Sequence, residues 1–196
     1  MNRKAEIVRK TRETDISLTL DLDGRGPSTV DTGIPFMDHM LDLMAAHGFM
    51  EIHLNARGDR EIDDHHTVED LGICFGMALN KSLSDKAGIR RYGEATVPMD
   101  EVLVRVVIDI SNRPILAYRV NIKKTFTGTF DTGLIREFFR ALTVNGGVTL
   151  HIDLMAGHEP HHVAEAMFKA FGRALDQATG TEARLSGNLP STKGLL

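Results

Sequence analysis

One passage is written twice along this chain. Asp63-Asp64-His65-His66-Thr67-Val68-Glu69-Asp70 in the first half is matched by Pro160-His161-His162-Val163-Ala164-Glu165 in the second, with the histidine pairs 96 residues apart. Asp31-Thr32-Gly33 recurs as Asp131-Thr132-Gly133, and Ile52-His53-Leu54 as Leu150-His151-Ile152, the last at an offset of 98. A chain with such internal copies is restricted to folds that satisfy both, so the pattern predicts a duplicated unit with pseudo-two-fold symmetry. Each copy reads as strands, a helix, a strand and a helix, which is an α+β unit. The expected halves are about 1–87 and 88–180 of a single domain spanning 1–196. Residues 181–196 form a C-terminal tail, in which Gly187-Asn188-Leu189-Pro190-Ser191-Thr192-Lys193-Gly194 is punctuated by glycine and proline and is not expected to form a regular element.

Local pattern fills in the elements. Period-two alternation from Ile16 to Leu22 predicts a strand, and Gly24-Arg25-Gly26-Pro27 breaks it. Further strands are predicted at 29–32, 50–56 and 148–155. The strongest is 102–110, expected to form a hairpin with 115–122 across Ser111-Asn112-Arg113-Pro114. Residues 88–93 read as a basic connection. Helices are predicted over 36–46, opened by Pro35 and closed by Gly48, and over 64–84, 134–144 and 161–178.

The repeated passage carries chemistry. On helices, His65 and Glu69 are four apart and share a face, as do His161 and Glu165. Imidazole and carboxylate on one face make half a metal site. Neighbouring histidines point about 100° apart, so His65 and His66 do not readily serve one ion. The doubled motif therefore predicts two ions, each drawing ligands from both copies. A single HHxxE is a weak signal on a solvated helix; the second copy, inside a longer repeat, is what favours metal. The offset of 98 also pairs His39 with Glu137, so if one binds a metal, so should the other. His53 and His151 correspond in strands, where a buried, satisfied imidazole or a partner to a ligand is expected.

Other classes recede. A formal net charge of −4 leaves no electrostatic footprint for nucleic acid. The lone Cys74 removes an internal disulfide and a thiolate cluster, and its apolar surroundings mark a small core residue. Met1 to Glu6 lacks the apolar region of a signal peptide, and no apolar run approaches a membrane span. The expectation is a cytoplasmic protein without membrane or nucleic-acid partners. No P-loop, dinucleotide fingerprint or HExxH motif is present.

Phe36-Met37-Asp38-His39-Met40, both HHxxE passages, Leu150-His151-Ile152 and Pro190-Ser191-Thr192-Lys193-Gly194 resemble the imidazoleglycerol-phosphate dehydratase family of histidine biosynthesis, from about Glu13 to Gly194. The resemblance implies two sheets flanking a helical bundle, a fold like domain 2 of ribosomal protein S5. It implies a homo-24-mer built from trimers, with two Mn(2+) per subunit at sites between subunits. One ion would be held by His39, His66, His161 and Glu165, the other by His65, Glu69, His162 and Glu137. Some relatives carry histidine at position 137. The implied reaction is dehydration of D-erythro-imidazole-glycerol phosphate to imidazole-acetol phosphate by a hydro-lyase. The proton lost has no carbonyl beside it, so Lewis acids flanking the imidazole ring would have to hold the ring's charge.

Glu13 is implied as the general acid/base, working with the ligands His39, His65, Glu69, His161 and Glu165. Arg91, Arg113, Ser191, Thr192 and Lys193 are implied phosphate contacts, with Lys169 also at the substrate. Read without the resemblance, Glu13 is an ordinary strand-end carboxylate, Arg91 a solvated charge, and 191–193 a frayed tail. Two alternatives stay open: a hydrolase using metal-bound hydroxide, and a non-enzymatic metal-storing cage. The first has no need of separate cationic phosphate contacts plus Glu13, the second no need of a single-copy Pro-Ser-Thr-Lys. No residues remain for the phosphatase domain fused to some family members, so a monofunctional chain is expected.

Overall fold

The structure is a computed structural model that describes residues 3–122 and 126–195. The first half runs β1 (Lys4–Lys10), β2 (Thr14–Asp21), β3 (Thr29–Asp31), α1 (Pro35–Gly48), β4 (Glu51–Gly58) and α2 (His65–Leu83). The second runs β5 (Tyr92–Met99), β6 (Val102–Asp109), β7 (Ile115–Arg119), β8 (Phe126–Thr127), β9 (Phe130–Asp131), α3 (Leu134–Gly146), β10 (Thr149–Ala156) and α4 (Pro160–Thr179). Each half builds one four-stranded sheet, in the orders β1-β2-β4-β3 and β5-β6-β10-β7. In both sheets the first three strands are antiparallel and the last is parallel to its neighbour. The β8–β9 hairpin has no counterpart among the described residues of the first half.

Alternation decides which face each sheet buries. Ile16, Leu18 and Leu20 of β2, and Val102, Val104, Val106 and Ile108 of β6, are buried while their neighbours turn outward. Helices α2 and α4 cover those inner faces, α2 on β1 and β2, α4 on β5 and β6. Helix α3 then packs on α2, and α1 on α4, so the two sheets flank a helical bundle. Phe138 and Phe139 of α3 meet Phe168 and Phe171 of α4, with ring centroids 5.0 to 5.5 Å apart. All four are fully buried, and each contributes about 1.5–3 kcal/mol of hydrophobic stabilisation.

Both helix pairs approach through glycine. A Cβ at Gly76 of α2 would stand 2.6 Å from the Leu142 carbonyl oxygen and 2.7 Å from the Gly146 nitrogen of α3. A Cβ at Gly172 of α4 would stand 2.5 Å from the Met44 carbonyl oxygen and 3.0 Å from the Gly48 nitrogen of α1. Gly76 and Gly172 lie 96 residues apart, Gly48 and Gly146 98, the offsets that the repeated motifs carry. The duplicated sequence has become a duplicated backbone contact.

Helix bounds fall within two residues of those predicted from sequence, but two strand expectations are corrected. The 115–122 segment does not form a hairpin with β6. It ends as a strand at Arg119 and lies parallel to β10, with Ile115 opposite Thr149. Strand β6, apolar at every second position, takes the interior of the sheet between β5 and β10, while the half-exposed β7 takes the edge. Residues 92–99, beginning inside the expected basic connection, form the opposite edge strand β5, where Pro98 is tolerated because one side of the strand needs no ladder partner. The buried reading of His53 and His151 is corrected too. Ile52 and Leu54 point inward, so His53 points outward, 42% exposed, held by Glu51 Oε1 at 2.6 Å and Thr29 Oγ1 at 2.8 Å. His151 is likewise on the outer face, 3.3 Å from Arg119 Nη2. No helix among the described residues is long and apolar enough to cross a membrane.

Two stability measurements follow from the packing. In an unconstrained helix Gly→Ala gains about 1 kcal/mol, yet Gly76→Ala should lose about 1–3 kcal/mol through overpacking against α3, read as a lower urea midpoint. Cys74 is fully buried, and burial pushes its thiol up to about 12. A disulfide reagent should therefore leave it untouched in native protein and titrate one thiol only on unfolding.

Candidate active site

Local sequence sets where each histidine pair sits. Pro160 occupies the first turn of α4, and the Glu159 carboxylate caps it by accepting from the His162 backbone N–H at 2.9 Å. Helix α2 is pinned to the first sheet by buried Asp70, which accepts from Thr14 Oγ1 at 2.5 Å and pairs with Arg9 Nη2 at 2.9 Å. The close approach of α1 to α4 then brings His39 beside His161, with ring centroids 5.8 Å apart.

Three expected ligands converge there. Glu165 Oε1 lies 3.2 Å from His39 Nε2 and 3.0 Å from His161 Nε2, and ligand atoms of the three residues all lie within 4.8 Å of one another. Lys169 Nζ donates to Glu165 Oε2 at 2.6 Å. Burial pushes the Glu165 carboxyl upward, but the hydrogen bonds and charge of Lys169, with the two histidines, outweigh it and hold the group down to about 2. Two imidazole nitrogens and a carboxylate oxygen are a donor set suited to a borderline divalent ion.

The repeat mates form a second group. Arg140 bridges two carboxylates, from Nε to Glu137 Oε2 at 2.7 Å and from Nη2 to Glu69 Oε1 at 2.5 Å. His65 Nε2 stands 3.7 Å from Glu69 Oε2. His66 and His162 turn away from both groups, as adjacent helical positions must. His66 Nδ1 lies 3.1 Å from Asp59 Oδ2 and 4.0 Å from Glu13 Oε2. His162 Nδ1 lies 3.0 Å from Glu101 Oε2, with Asp100 Oδ2 3.7 Å from its Nε2. These carboxylates raise both imidazole pKa values, Asp59 acting foremost on His66 and Glu101 on His162.

The expected phosphate contacts gather in a cleft of about 760 Å³ lined by Arg91, Arg113, Ser191, Thr192 and Lys193. Arg91 is not a solvated charge. It is 11% exposed, donates to Asp109 Oδ1 at 2.7 Å and to the Pro190 carbonyl at 2.9 Å, and lies over the Tyr92 ring. Its bond to Pro190 secures the tail, which is not frayed. Arg113 Nη2 reaches the other Asp109 oxygen at 3.3 Å. Sequence reasoning missed Asp109, Asp59, Glu101 and Arg140. For Arg140 a signal existed, since Glu137 three residues earlier is a helical ion-pair spacing. Nothing local marks the other three.

Fold and donor groups define a duplicated α+β protein built around paired imidazole and carboxylate side chains. A family model described as imidazoleglycerol-phosphate dehydratase matches residues 32–175. The imidazoleglycerol-phosphate dehydratase of Geobacter sulfurreducens is 54% identical over 196 residues, covering all of both chains. That of Bacillus subtilis is 54% identical over 194 residues, 99% of this chain and 100% of its own. The crystal structure of the Staphylococcus aureus enzyme aligns with a TM-score of 0.84 at 41% identity, covering 91% of this chain and 99% of that one. The chain belongs to the imidazoleglycerol-phosphate dehydratase family, which consists of hydro-lyases, and the hydrolase and storage-cage alternatives fall away.

The lowered Glu165 carboxyl has a pH signature in metal-free protein. A carboxyl held below its ordinary 4.5 stabilises the fold fully above that pH and loses the contribution as pH falls toward about 2. Lys169→Met removes the largest of the interactions that lower it, so that contribution shrinks. The stability gap between wild type and Lys169→Met, from urea midpoints, should be widest above pH 4.5 and close between 4.5 and 2.

Proposed function

We propose that this protein dehydrates D-erythro-imidazole-glycerol phosphate to imidazole-acetol phosphate in L-histidine biosynthesis, in the cytoplasm, as a homo-24-mer with two Mn(2+) per subunit. The observation that carries the metal reading is the convergence of His39, His161 and Glu165 within 4.8 Å. With His66 they would hold one ion, and His65, Glu69, Glu137 and His162 the other. His66 and His162 face away from the groups in their own chain, so each is supplied to a neighbouring subunit's group across an interface. Bound there, the ions supply Lewis acidity toward the substrate's imidazole ring.

The remaining roles belong to side chains. Arg91 and Arg113, both oriented by Asp109, present guanidinium donors to the phosphate, joined by Ser191, Thr192 and Lys193. Lys169 keeps Glu165 ionised and therefore able to ligate. Arg140 offsets the extra negative charge that Glu137 brings where its repeat mate, His39, can be neutral. Glu13 is 54% exposed, and no hydrogen bond reaches its carboxylate among the described residues. It takes the proton, at a carboxylate oxygen, from the carbon one removed from the ring; the hydroxyl on the ring-attached carbon leaves as water with a returned proton, and the enol so formed becomes the ketone.

Glu13→Gln should lower kcat by roughly 10² or more, within what general acid–base catalysis supplies, while bound manganese stays unchanged by elemental analysis. Glu137→Ala should instead lose or weaken one ion and shift the particle to a smaller species in light scattering. Full manganese content and wild-type turnover in Glu137→Ala would contradict the pairing of Glu137 with His39.

A further inference from the structure

The strand ladders supply a third offset. Leu20 lies opposite Ile52 in the first sheet, and Ile108 opposite Leu150 in the second. Ile52 and Leu150 are repeat mates, so β2 and β6 correspond at 88 residues. That offset turns Glu13, immediately before β2, into Glu101, immediately before β6. Each glutamate faces the second histidine of its half's long helix, Glu13 at 4.0 Å from His66 Nδ1 and Glu101 at 3.0 Å from His162 Nδ1.

The two mates are nevertheless held differently. Both oxygens of Glu101 are engaged: Oε2 accepts from His162, and Oε1 accepts from the Glu159 backbone N–H at 3.3 Å, at the start of α4. In the first half the equivalent histidine nitrogen is taken by Asp59, 3.1 Å away in the turn after β4. Beyond the bulge between Leu154 and Ala156 of β10 the ladders relate β4 to β10 at 99, so Asp59 corresponds to His158, which offers no carboxylate. Among the described residues the first half thus has two carboxylates for Nδ1 of its histidine, the second only Glu101. Asp100 lies on the Nε2 side of His162, at 3.7 Å, and is 72% exposed.

We propose that Asp59 and Glu101 are positioning residues that hold Nδ1–H of His66 and His162, leaving each Nε2 lone pair free for a metal ion. Asp59 thereby releases Glu13, alone of the two repeat-related glutamates, to carry protons. This rests on the metal reading above. A neutral imidazole that donates at one nitrogen can ligate only at the other, and a carboxylate at Nδ1 fixes both tautomer and ring orientation. Glu101, with both oxygens engaged and a histidine to hold, is a poor proton shuttle even though it descends from the same repeat position as Glu13.

The test is Mn²⁺ affinity of the full-length protein by equilibrium dialysis. Glu101→Ala and Asp59→Ala should each weaken one class of site by about 10–100-fold. Glu101→Gln and Asp59→Asn, whose amide oxygens still accept from Nδ1–H, should recover most of that loss. Glu13→Ala should leave Mn²⁺ affinity at the wild-type value. A wild-type protein that takes up no Mn²⁺ would overturn the metal reading itself. Two ions in wild type, held equally tightly in Glu101→Ala, would overturn the positioning role alone. So would a Glu101→Gln protein as impaired in Mn²⁺ binding as Glu101→Ala. A Glu101→Ala protein with unchanged Mn²⁺ affinity and a collapsed kcat at saturating metal would make Glu101 a proton carrier after all.

Discussion

Everything at the candidate centre depends on how closely two pairs of helices can approach. At Gly172 against Gly48, and at Gly76 against Gly146, backbone meets backbone with no room for a methyl group. That spacing carries His39 of α1 to His161 and Glu165 of α4, and lets Arg140 of α3 span from Glu137 to Glu69 of α2. The buried phenylalanines of α3 and α4 then lock one helix pair onto the other. A wider separation of either pair would leave imidazole and carboxylate groups as unrelated surface residues.

The two centres are related by duplication and have diverged in how their charge is balanced. Each contains one cation touching its carboxylates, but the cations come from different places in the repeat. Lys169 lies on the long helix α4, and its mate at the 96-residue offset is Ile73. Arg140 lies on the shorter helix α3, and its mate at the 98-residue offset is Asp42. Lys169 serves a group with one carboxylate and two imidazoles, whereas Arg140 serves a group with two carboxylates. The stronger bridging cation, with its planar fork of donors, sits where there are two anions to bridge.

The sequence exposed what is periodic and what is repeated. Helix bounds, the inward faces of β2 and β6 and the divergence of His65 from His66 follow from 3.6-residue and two-residue periods, and the correspondence of His39 with Glu137 from the 98-residue repeat. What stayed hidden was non-local. Asn112 and Pro114 signal a turn after β6 correctly, but a turn does not say which strand comes to lie alongside, and β10, some forty residues on, took that place. The polar, outward half of β5 masked an edge strand. The burial of Arg91 depends on Asp109 and on a carbonyl 99 residues away. His53 and His151 look alike in both copies, yet face outward because their neighbours Ile52, Leu54, Leu150 and Ile152 claim the interior.

A two-fold body offers an unsymmetrical molecule two equivalent ways to lie on it, head to tail or tail to head. The C-terminal tail removes that equivalence, because it exists once. It returns along the second half, bridging Ile89 with Thr181 and meeting Arg91 at Pro190, and so gathers its cations and hydroxyls at one end only. Duplication made the scaffold ambidextrous; a segment of unrepeated chain gives it a handedness of use.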